Sequence, residues 1–347
     1  MTRVLVTGGS GFIGQHLVSA LVARDQRVRL LDLRPPARAL PNVQYVEGSV
    51  LDAGLVEDAL DGVDQVYHLA GLPGMWVPQK GDFHAVNYGG TEVVLTAARK
   101  RGVARFLHCS TESILFRCSS SRDAVADDGL LSADDMPGPY TRSKMLADRL
   151  AMRAAASGFP VVIGCPTMPI GAHDHNLTPP AQMLRHFLGG RLHLYLDFIV
   201  NLVDVRDVAA GLILAMERGR IGHRYVLGGE SISLKKVLGL MADISGRRGL
   251  FIPLPGRLAE ITAAILELVA DHVTRRPPSG TAEGVRIALR ATALSIEKAQ
   301  RELSYAPRPV EPALRETIAY LLGADGHHLE FSPPTQAYST VSPESPM

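Results

Sequence analysis

Tyr140 and Lys144 are well suited to proton transfer. They stand four positions apart in the segment Tyr140-Thr141-Arg142-Ser143-Lys144, directly after Pro139. The segment opens a stretch of helical periodicity, and residues four apart share one helix face, so the phenol and the ammonium point the same way. A free tyrosine has a pKa of about 10, and a neighbouring cation lowers that pKa toward the range of a general acid or base. Because a Tyr-x-x-x-Lys pair is common, its meaning depends on the residues that accompany it.

A glycine-rich turn at the start of the chain is typical of a phosphate-binding loop. Its four glycines can be read as Gly9-x-Gly11-x-x-Gly14 or as Gly8-x-x-Gly11-x-x-Gly14, between a predicted strand and a predicted helix. Glycine allows positive φ and close approach of a pyrophosphate, and the free amides at a helix start hold the anion. The turn therefore predicts a bound dinucleotide in contact with Gly8, Gly11, Phe12, Ile13 and Gly14.

Asp32 is expected to choose between the two nicotinamide dinucleotides. It ends the second predicted strand, 18 residues after Gly14. A carboxylate there accepts hydrogen bonds from both ribose hydroxyls of NAD and repels the extra phosphate of NADP. Arg34, or Arg38 further on, is the alternative, because a cation can hold that phosphate. We expect NAD rather than NADP.

Thr111 is the third candidate for chemistry. It closes the run Cys109-Ser110-Thr111 at the end of a predicted strand. Ligands of parallel α/β sheets bind at the carboxyl ends of the strands, so this hydroxyl is expected beside the cofactor. The glycine turn, the strand-end hydroxyls and the Tyr/Lys pair together indicate hydride transfer coupled to proton transfer.

The elements that must position these residues alternate between strand and helix. The predicted strands are 3–7, 28–31, 44–46, 63–69, 105–109 and 161–164, and helical stretches lie between most of them. Such alternation implies βαβ units and a parallel sheet. Residues 116–139 are rich in Ser, Asp and Gly and are expected to form an exposed loop. Two later pieces, 202–216 and 224–227, are expected to return to the main sheet and its cover.

Composition excludes several classes of protein. The 347 residues carry a formal net charge of +1, with no basic face that would suggest a nucleic-acid binder. Three cysteines, Cys109, Cys118 and Cys165, fit a reducing, cytoplasmic setting better than a disulfide framework. We find neither a signal-peptide pattern nor a membrane span. The most apolar window, 258–273, is interrupted by acids and predicts a packed amphipathic helix; lining an apolar pocket and touching a membrane surface are the alternatives.

These motifs together closely resemble those of the extended short-chain dehydrogenase/reductase family, over most of residues 1–320. The resemblance is to the branch of dihydroflavonol-reductase-like proteins and hopanoid-associated sugar epimerases. It rests on the glycine turn, the Tyr/Lys pair and Ser110-Thr111, and on the segments His68-Leu69-Ala70-Gly71, Asn87-Tyr88-Gly89-Gly90-Thr91, Gly164-Cys165-Pro166-Thr167, 201–209 and 225–230.

The resemblance implies a fold, a set of roles and an assembly. The fold class is α/β, a Rossmann-type doubly wound parallel sheet over residues 1–165. The strand–helix pattern itself loosens beyond about Pro166, so residues 166–322 are expected to form a smaller substrate-binding lobe, with segments near 200–228 returning to the sheet. Ser and Pro dominate from Gly323, so 323–347 are expected to form a disordered tail. Thr111, Tyr140 and Lys144 would be catalytic. The cofactor would also touch Leu69, Ala70, Gly71, Pro166 and Thr167. Helices near Asn87 and Tyr140 would build a homodimer.

Some positions depart from the family pattern. Ser49 stands where many relatives have an adenine-contacting aspartate. Glu112 places an unusual charge directly after Thr111, and we treat it, with Trp76, as a candidate substrate contact; packing is the equally weighted alternative for Trp76. Asn87 is expected to be a structural helix residue rather than a catalyst. His173 and His175 flank Asp174, but with no third ligand at a suitable spacing we expect no metal.

Three functions are compatible with these residues. The preferred one is a dehydrogenase or reductase that interconverts a secondary alcohol and a ketone on a small, apolar substrate. The alternative is a nucleotide-sugar epimerase or dehydratase with tightly held NAD, which predicts an arginine grip for the diphosphate. The matching positions are Val200 and Asn201, although Arg185, Arg191 or Arg224 could substitute. A non-catalytic cofactor sensor is disfavoured because the Tyr/Lys pair is present.

Overall fold

A seven-stranded parallel sheet forms the centre of the computed structural model, which describes residues 2–116, 132–189, 192–247 and 249–324. Its strands are β1 (Arg3–Thr7), β2 (Arg27–Asp32), β3 (Val43–Glu47), β4 (Gln65–His68), β5 (Arg105–Cys109), β6 (Val161–Pro166) and β10 (Arg224–Leu227). They lie in the order β10-β6-β5-β4-β1-β2-β3, and every pair is parallel. The order reverses between β1 and β4, the topological switch point at which doubly wound sheets bind ligands. The predicted fold class is confirmed.

Helices cover both faces of this sheet. They are α1 (Phe12–Val22), α2 (Ala53–Ala59), α4 (Gly90–Lys100), α5 (Pro139–Ala156) and α7 (Val205–Arg218). One core joins α1 and α7 to the sheet, and a second core joins α2, α4 and α5 to its other face. Because both faces are covered, the central strands are continuously apolar rather than alternating, as in the fully buried β6.

The helix before α4 starts earlier than the sequence predicts. A single turn, α3 (Gly81–Phe83), runs into a π-helical segment, His84–Gly89, and only then into α4. Asn87 lies inside the π-helical segment and is 2% exposed. A π-bulge is a local departure from helical geometry that often marks a functional site, and here it brings a polar side chain beneath α5.

A second lobe is built on a separate three-stranded sheet. Its strands, β7 (Met168–Ile170), β9 (Ile199–Asp204) and β11 (Glu230–Ser233), lie in the order β11-β9-β7. Helices α6 (Pro179–Leu188), α8 (Leu234–Ser245) and α12 (Val310–Ala324) share their apolar core with it. The prediction that residues 202–216 rejoin the main sheet is therefore wrong for the strand part, 202–204, whereas α7 and β10 do return to it.

The remaining elements pack against both lobes of the molecule. A two-stranded parallel ladder joins β8 (Leu192–Tyr195) to β12 (Leu250–Pro253), followed by α9 (Gly256–Val269), a π-helical turn (Ala270–Thr274), α10 (Ala282–Arg290) and α11 (Glu297–Leu303). In the described residues, no helix is both long and apolar enough to cross a bilayer.

Two predicted irregular segments are only partly described. The predicted loop at 116–139 contains a 3-10 turn, Ala133–Asp135, and its residues 117–131 lie outside the described part. The predicted tail at 323–347 is wrong at its start, because α12 continues through Gly323 to Ala324. Residues 325–347 lie outside the described part.

Candidate active site

The glycine turn follows the Gly8-x-x-Gly11-x-x-Gly14 pattern. Gly8 has a φ of +72°, and a Cβ on it would lie 2.6 Å from the amide nitrogen of Ala70. A Cβ on Gly14 would lie 2.3 Å from the carbonyl oxygen of Gly8. Only glycine permits both the left-handed backbone and this close packing of the turn against the helix. The first amides of α1, at Phe12 and Ile13, lack intrahelical partners and mark an anion-binding position.

Backbone amides hold the carboxylate of Asp32 beside the glycine turn. Its carboxylate accepts hydrogen bonds from the amides of Ser10 at 3.0 Å and Arg34 at 3.3 Å. Burial raises the pKa of Asp32, although these amides oppose the shift. The Arg34 guanidinium instead donates to the side chain of Asn176 at 3.1 Å. The expected NAD selector is thus positioned beside the turn, and its cationic rival is engaged with the second lobe.

A buried hydrogen-bond chain joins the ends of β1 and β4 to α4. Thr7 Oγ1 lies 2.7 Å from His68 Nδ1, and His68 Nε2 lies 3.0 Å from Thr91 Oγ1. Thr91 donates to the carbonyl of Asn87, so it accepts from Nε2–H, and Nδ1 accepts from Thr7. Burial lowers the pKa of His68 to about 3, so the ring is neutral. The sequence analysis did not assign this role to His68.

The segment after β4 runs along the glycine turn. The amide of Leu69 donates to the Thr7 carbonyl at 3.0 Å, and that of Ala70 to Thr7 Oγ1 at 3.3 Å. Gly71 follows, and a Cβ there would lie 2.9 Å from Asn87 Oδ1. The three residues predicted to line the cofactor, Leu69, Ala70 and Gly71, are therefore adjacent to the turn predicted to hold its phosphates.

Asn87 links this segment to the helix that carries Tyr140. Its Oδ1 accepts from the Leu72 amide at 2.7 Å, and its Nδ2 donates to Ser143 Oγ at 2.9 Å. Ser143 in turn donates to the carbonyl of Tyr140 at 2.7 Å. Both ends of the Asn87 amide are occupied by the protein, as expected of a structural residue.

Tyr140, Lys144 and Thr111 converge at the carboxyl end of β5. Lys144 Nζ donates to the carbonyl of Cys109 at 2.8 Å. The Thr111 hydroxyl donates to Ser113 Oγ at 3.2 Å and lies close enough to the Tyr140 phenol to lower its pKa. The Tyr140 ring packs edge-on against Phe83, with the ring centroids 5.8 Å apart. The structure therefore brings together the three residues that the sequence singled out for chemistry.

Burial shifts the pKa values of both Tyr140 and Lys144. Loss of solvent raises the pKa of Tyr140 to about 12, and the nearby Thr111 hydroxyl opposes that rise. Burial lowers the pKa of Lys144, whose charge the buried surroundings disfavour. The phenol of the unliganded protein is therefore protonated at neutral pH, and any further positive charge beside it would draw its pKa down.

Glu283 is a site residue that the sequence analysis missed. It reaches from α10 to the start of α5, where it accepts from the Tyr140 amide at 3.2 Å and from the amide and hydroxyl of Thr141, both at 2.7 Å. It is 3% exposed, and burial raises its pKa. A carboxylate at a helix start satisfies otherwise unpaired amides. No local signal marks it, because its partners lie more than 140 residues earlier.

Thr167 follows the last residue of β6 and carries an unused hydroxyl. Its side chain is 8% exposed, and Oγ1 has no hydrogen-bond partner among the described residues. Buried hydroxyls are normally paired, so an unpaired one at the carboxyl edge of the sheet indicates a place for a ligand group. Pro166, also predicted to touch the cofactor, ends β6 immediately before it.

Two of the candidate diphosphate grips, Arg224 and Asn201, are bonded within the protein. Arg224 is buried and forms an ion pair with Asp148, which also accepts from Ser110 Oγ at 3.0 Å. The suggestion that Arg224 could hold a diphosphate is therefore wrong. Asn201 accepts from the Gly229 amide at 2.8 Å and donates to Ser231. Of the other two, Arg185 is exposed on α6, and Arg191 lies outside the described residues.

The two candidate substrate contacts have different surroundings. Trp76 is 8% exposed and its Nε1 donates to Asp271 Oδ1 at 2.7 Å. These contacts explain its burial by packing, and contact with the substrate stays a prediction. Glu112 is 7% exposed, and burial raises its pKa to about 8. In the part of the chain that is described, no group of three His, Cys, Asp or Glu side chains could hold a metal ion.

Comparisons with known proteins agree with this geometry. The model of the NAD dependent epimerase/dehydratase family matches residues 4–228. A "Putative dihydroflavonol 4-reductase" of Synechocystis sp. is 30% identical over 325 residues, which are 90% of this chain and 92% of that protein. The 4-hydroxy-2-methyl-3-oxo-4-farnesyl-3,4-dihydroquinoline-1-oxide ketoreductase of Stigmatella aurantiaca is 30% identical over 88% of this chain and 92% of its own.

Solved structures extend the likeness to the whole fold. The crystal structure of gox2253 superposes with a TM-score of 0.80 at 31% identity and covers 93% of this chain and 98% of its own. NAD is the cofactor of the family and is bound in other solved structures of the same fold. The chain belongs to the NAD dependent epimerase/dehydratase family, the extended short-chain dehydrogenase/reductases.

Proposed function

We propose that the chain is an NAD-dependent oxidoreductase that interconverts a secondary alcohol and a ketone on a small, apolar substrate. The observation that carries the proposal is the convergence of Thr111, Tyr140 and Lys144 at the end of β5, on the same sheet edge as the glycine turn that follows β1, two strands away. In this proposal Tyr140 is the general acid/base, Thr111 orients the substrate oxygen, and Lys144 holds the nicotinamide ribose.

The residues present fit NAD. The turn at Gly8, Gly11 and Gly14 leaves a cradle that side chains would fill, and the buried hydroxyl of Thr167 has no partner among the described residues. Asp32 would accept the ribose hydroxyls, and Leu69, Ala70, Gly71 and Pro166 would line the cofactor. When bound, NAD supplies the hydride acceptor for an alcohol or, when reduced, the hydride donor for a ketone.

Tyr140 would move the proton that accompanies the hydride. Its raised pKa keeps the phenol protonated at neutral pH, which suits proton donation to a ketone oxygen. For the reverse reaction the phenol must lose its proton, and the nearby Lys144 ammonium would favour the phenolate. Contact with the Thr111 hydroxyl would hold the phenol where it can also reach the substrate oxygen.

An apolar substrate is favoured over a nucleotide sugar for two reasons. Val200 is fully buried and Asn201 is bonded within the second lobe, so the usual diphosphate grip is missing, and Arg224 is paired with Asp148. The Tyr140 ring packs against an apolar cluster of Leu72, Val77, Phe83 and Val86. The ketoreductase relative named above has a farnesylated ketone substrate by its name, which supports the same class.

The test combines cofactor titration with activity on a panel of apolar secondary alcohols and ketones. Wild-type protein is titrated with NADH and NADPH by fluorescence, and any carried cofactor is measured after denaturation. Tyr140→Phe should lower kcat by about 100-fold or more while NADH still binds, because the proton donor is lost and the dinucleotide contacts are not. Tyr88→Phe, on the π-helical segment, is the matched control and should retain activity.

Other outcomes would replace the proposal. Stoichiometric NAD that leaves only on denaturation, with turnover of nucleotide sugars, would assign the epimerase or dehydratase reaction instead. Unchanged activity in Tyr140→Phe would remove the phenol from the mechanism. Exchangeable NADH binding with no turnover of either substrate class would favour a cofactor sensor.

We also infer a cytoplasmic homodimer, with the interface on α4 and α5. The family resemblance supports the assembly, and the sparse cysteines support the compartment; Cys109 and Cys165 are buried and free. Light scattering on the purified chain tests the mass. A monomer at micromolar concentration would contradict the inference.

A further inference from the structure

Helix α9 and the π-helical turn after it bury small side chains and expose large ones. Ala259, Ala263 and Ala270 are at most 7% exposed and face the protein. The opposite side is a stripe at helical spacing whose members are between 41 and 75% exposed: Leu258, Ile261, Ile265, Leu268, Val269 and Val273. We call this stripe the outer face of α9. The prediction that this segment packs its apolar side inward is therefore wrong. An exposed apolar strip of this size marks an interaction surface.

The acidic residues of the same segment point away from this face. Glu260 pairs with Arg286 at 2.7 Å, and Glu267 pairs with Lys80 at 3.1 Å. Asp271 also pairs with Lys80, at 3.2 Å. These are all the carboxylates in residues 256–276. The outer face therefore carries no unpaired negative charge.

Exposed arginines stand at both ends of the outer face. Arg257 precedes it, and Arg275 and Arg276 follow it. None of the three has a carboxylate within ion-pair distance among the described residues. The face is thus predominantly apolar, interrupted by the exposed Thr262 and His272, and cationic at its ends, the composition of a helix that lies in a bilayer interface.

A second apolar strip adjoins the first along the chain. In the parallel ladder of β8 and β12, Leu192 pairs with Leu250 and Leu194 with Ile252. The four side chains are 58, 61, 53 and 40% exposed, respectively. Residues in register on neighbouring strands share a sheet face, and β12 leads through Leu254 and Pro255 directly into α9.

We propose that the outer face of α9 docks on an anionic lipid bilayer surface. The apolar stripe would enter the boundary between headgroups and acyl chains, and the arginines would reach the lipid phosphates. A second copy of the chain is a poorer occupant. Whether a two-fold axis aligned the helices parallel or antiparallel, it would bring the arginines at the helix ends close to those of the other copy, and like charges repel.

The docking surface is connected to the candidate active site. Trp76 and Lys80, from the segment after β4, bond to Asp271 and Glu267 on the inner side of α9. Glu267 also accepts from the amide of Ala282, next to Glu283. Docking would therefore bring the site close to the membrane, although the docking proposal does not depend on which reaction occurs there.

Vesicle flotation of the full chain tests the proposal. Vesicles of phosphatidylcholine alone are compared with vesicles that also contain phosphatidylglycerol, at low and high salt. We expect binding to the anionic vesicles that weakens with salt. The double variant Ile265→Gln/Leu268→Gln should lower the partition coefficient about tenfold or more, and Arg257→Gln/Arg275→Gln/Arg276→Gln should lower it on anionic vesicles.

The control is Ile221→Gln, which changes an isoleucine that is 52% exposed and far in sequence from α9. It should bind vesicles as the wild type does. NADH binding and thermal melting verify that each variant is folded. Absence of flotation, equal binding to neutral vesicles, or equal loss in Ile221→Gln would overturn the proposal. A drop from dimer to monomer in Ile265→Gln/Leu268→Gln, measured by light scattering, would assign the face to a second copy instead.

Discussion

The carboxylate of Glu283 accepts hydrogen bonds from both the backbone amide and the hydroxyl of Thr141, each at 2.7 Å. This relationship ties α10 to the first turn of α5, and a third hydrogen bond comes from the amide of Tyr140. The position of the candidate acid/base thus depends on a residue from the C-terminal part of the chain. The negative charge of Glu283 also raises the pKa of Tyr140.

Replacing Glu283 should separate its two effects. Glu283→Gln keeps one acceptor oxygen and removes the charge, so the pKa of Tyr140 should fall and the alkaline limb of the rate profile should move to lower pH. Glu283→Ala leaves buried amides unpaired and should lower the free energy of unfolding by roughly 1–3 kcal/mol as well as kcat. Urea unfolding and pH–rate profiles measure the two effects.

The control for Glu283 is Glu260→Gln, which breaks a pair on the surface of the neighbouring α9. It should leave the pH profile unchanged. If Glu283→Gln moved the profile no more than Glu260→Gln does, the charge of Glu283 would not act on Tyr140.

Asp32 should determine the preference for NAD. Asp32→Ser removes the carboxylate that the amides of Ser10 and Arg34 hold in place, so NADH should bind about tenfold more weakly and NADPH no more weakly than before. Fluorescence titration of both dinucleotides measures the change. Asp58→Ser, an exposed carboxylate on α2, is the control. A wild-type chain that prefers NADPH would mean that Arg34 or a neighbour overrides Asp32.

Lys144 should set the pH at which Tyr140 loses its proton. Alcohol oxidation requires the phenolate, so its rate should rise with pH, whereas ketone reduction requires the phenol and should fall only at high pH. Lys144→Met removes the ammonium that favours the phenolate and should move both limbs upward by about one pH unit or more. Lys100→Met, an exposed change on α4, is the control, and an unmoved profile in Lys144→Met would count against this coupling.

Glu112 should make the protein less stable as pH rises. Burial raises its pKa from 4.5 to about 8, so between these values the folded chain keeps a proton that the unfolded chain has released. The stabilising effect of that proton is complete below pH 4.5 and is lost as pH rises toward 8. Glu112→Gln has no such proton, and it should exceed the wild type in free energy of unfolding by up to about 5 kcal/mol at pH 9, with little difference at pH 4.

The control for Glu112 is Glu57, a carboxyl group whose pKa is lowered rather than raised in the folded chain. Lys100 lowers the pKa of Glu57, so that carboxylate contributes stability at high pH. Glu57→Gln should therefore gain nothing at pH 9. Parallel pH dependences for wild type and Glu112→Gln would show that Glu112 is not buried as a neutral acid in solution.

Local signals in the sequence were enough for the fold class and for the proximity of the candidate residues Thr111, Tyr140 and Lys144. Strand and helix periodicities depend on residues within a few positions of one another, and Gly8, Gly11 and Gly14 meet their steric requirements within a single turn. The spacing of Tyr140 and Lys144 fixes their common face for the same reason. The sequence could therefore predict a doubly wound parallel sheet with these residues at its carboxyl edge.

Relationships between distant segments were decided only by the tertiary structure. Glu283 meets α5 across more than 140 positions. His68 bonds to partners from β1 and α4, and its burial keeps the ring neutral. Strand β9 left the main sheet because its edges pair with β7 and β11. Helix α9 turned its large apolar side outward because its small residues and paired acids fit the inner side. Periodicity shows that a helix has two faces, but only packing against the rest of the chain determines which face is buried.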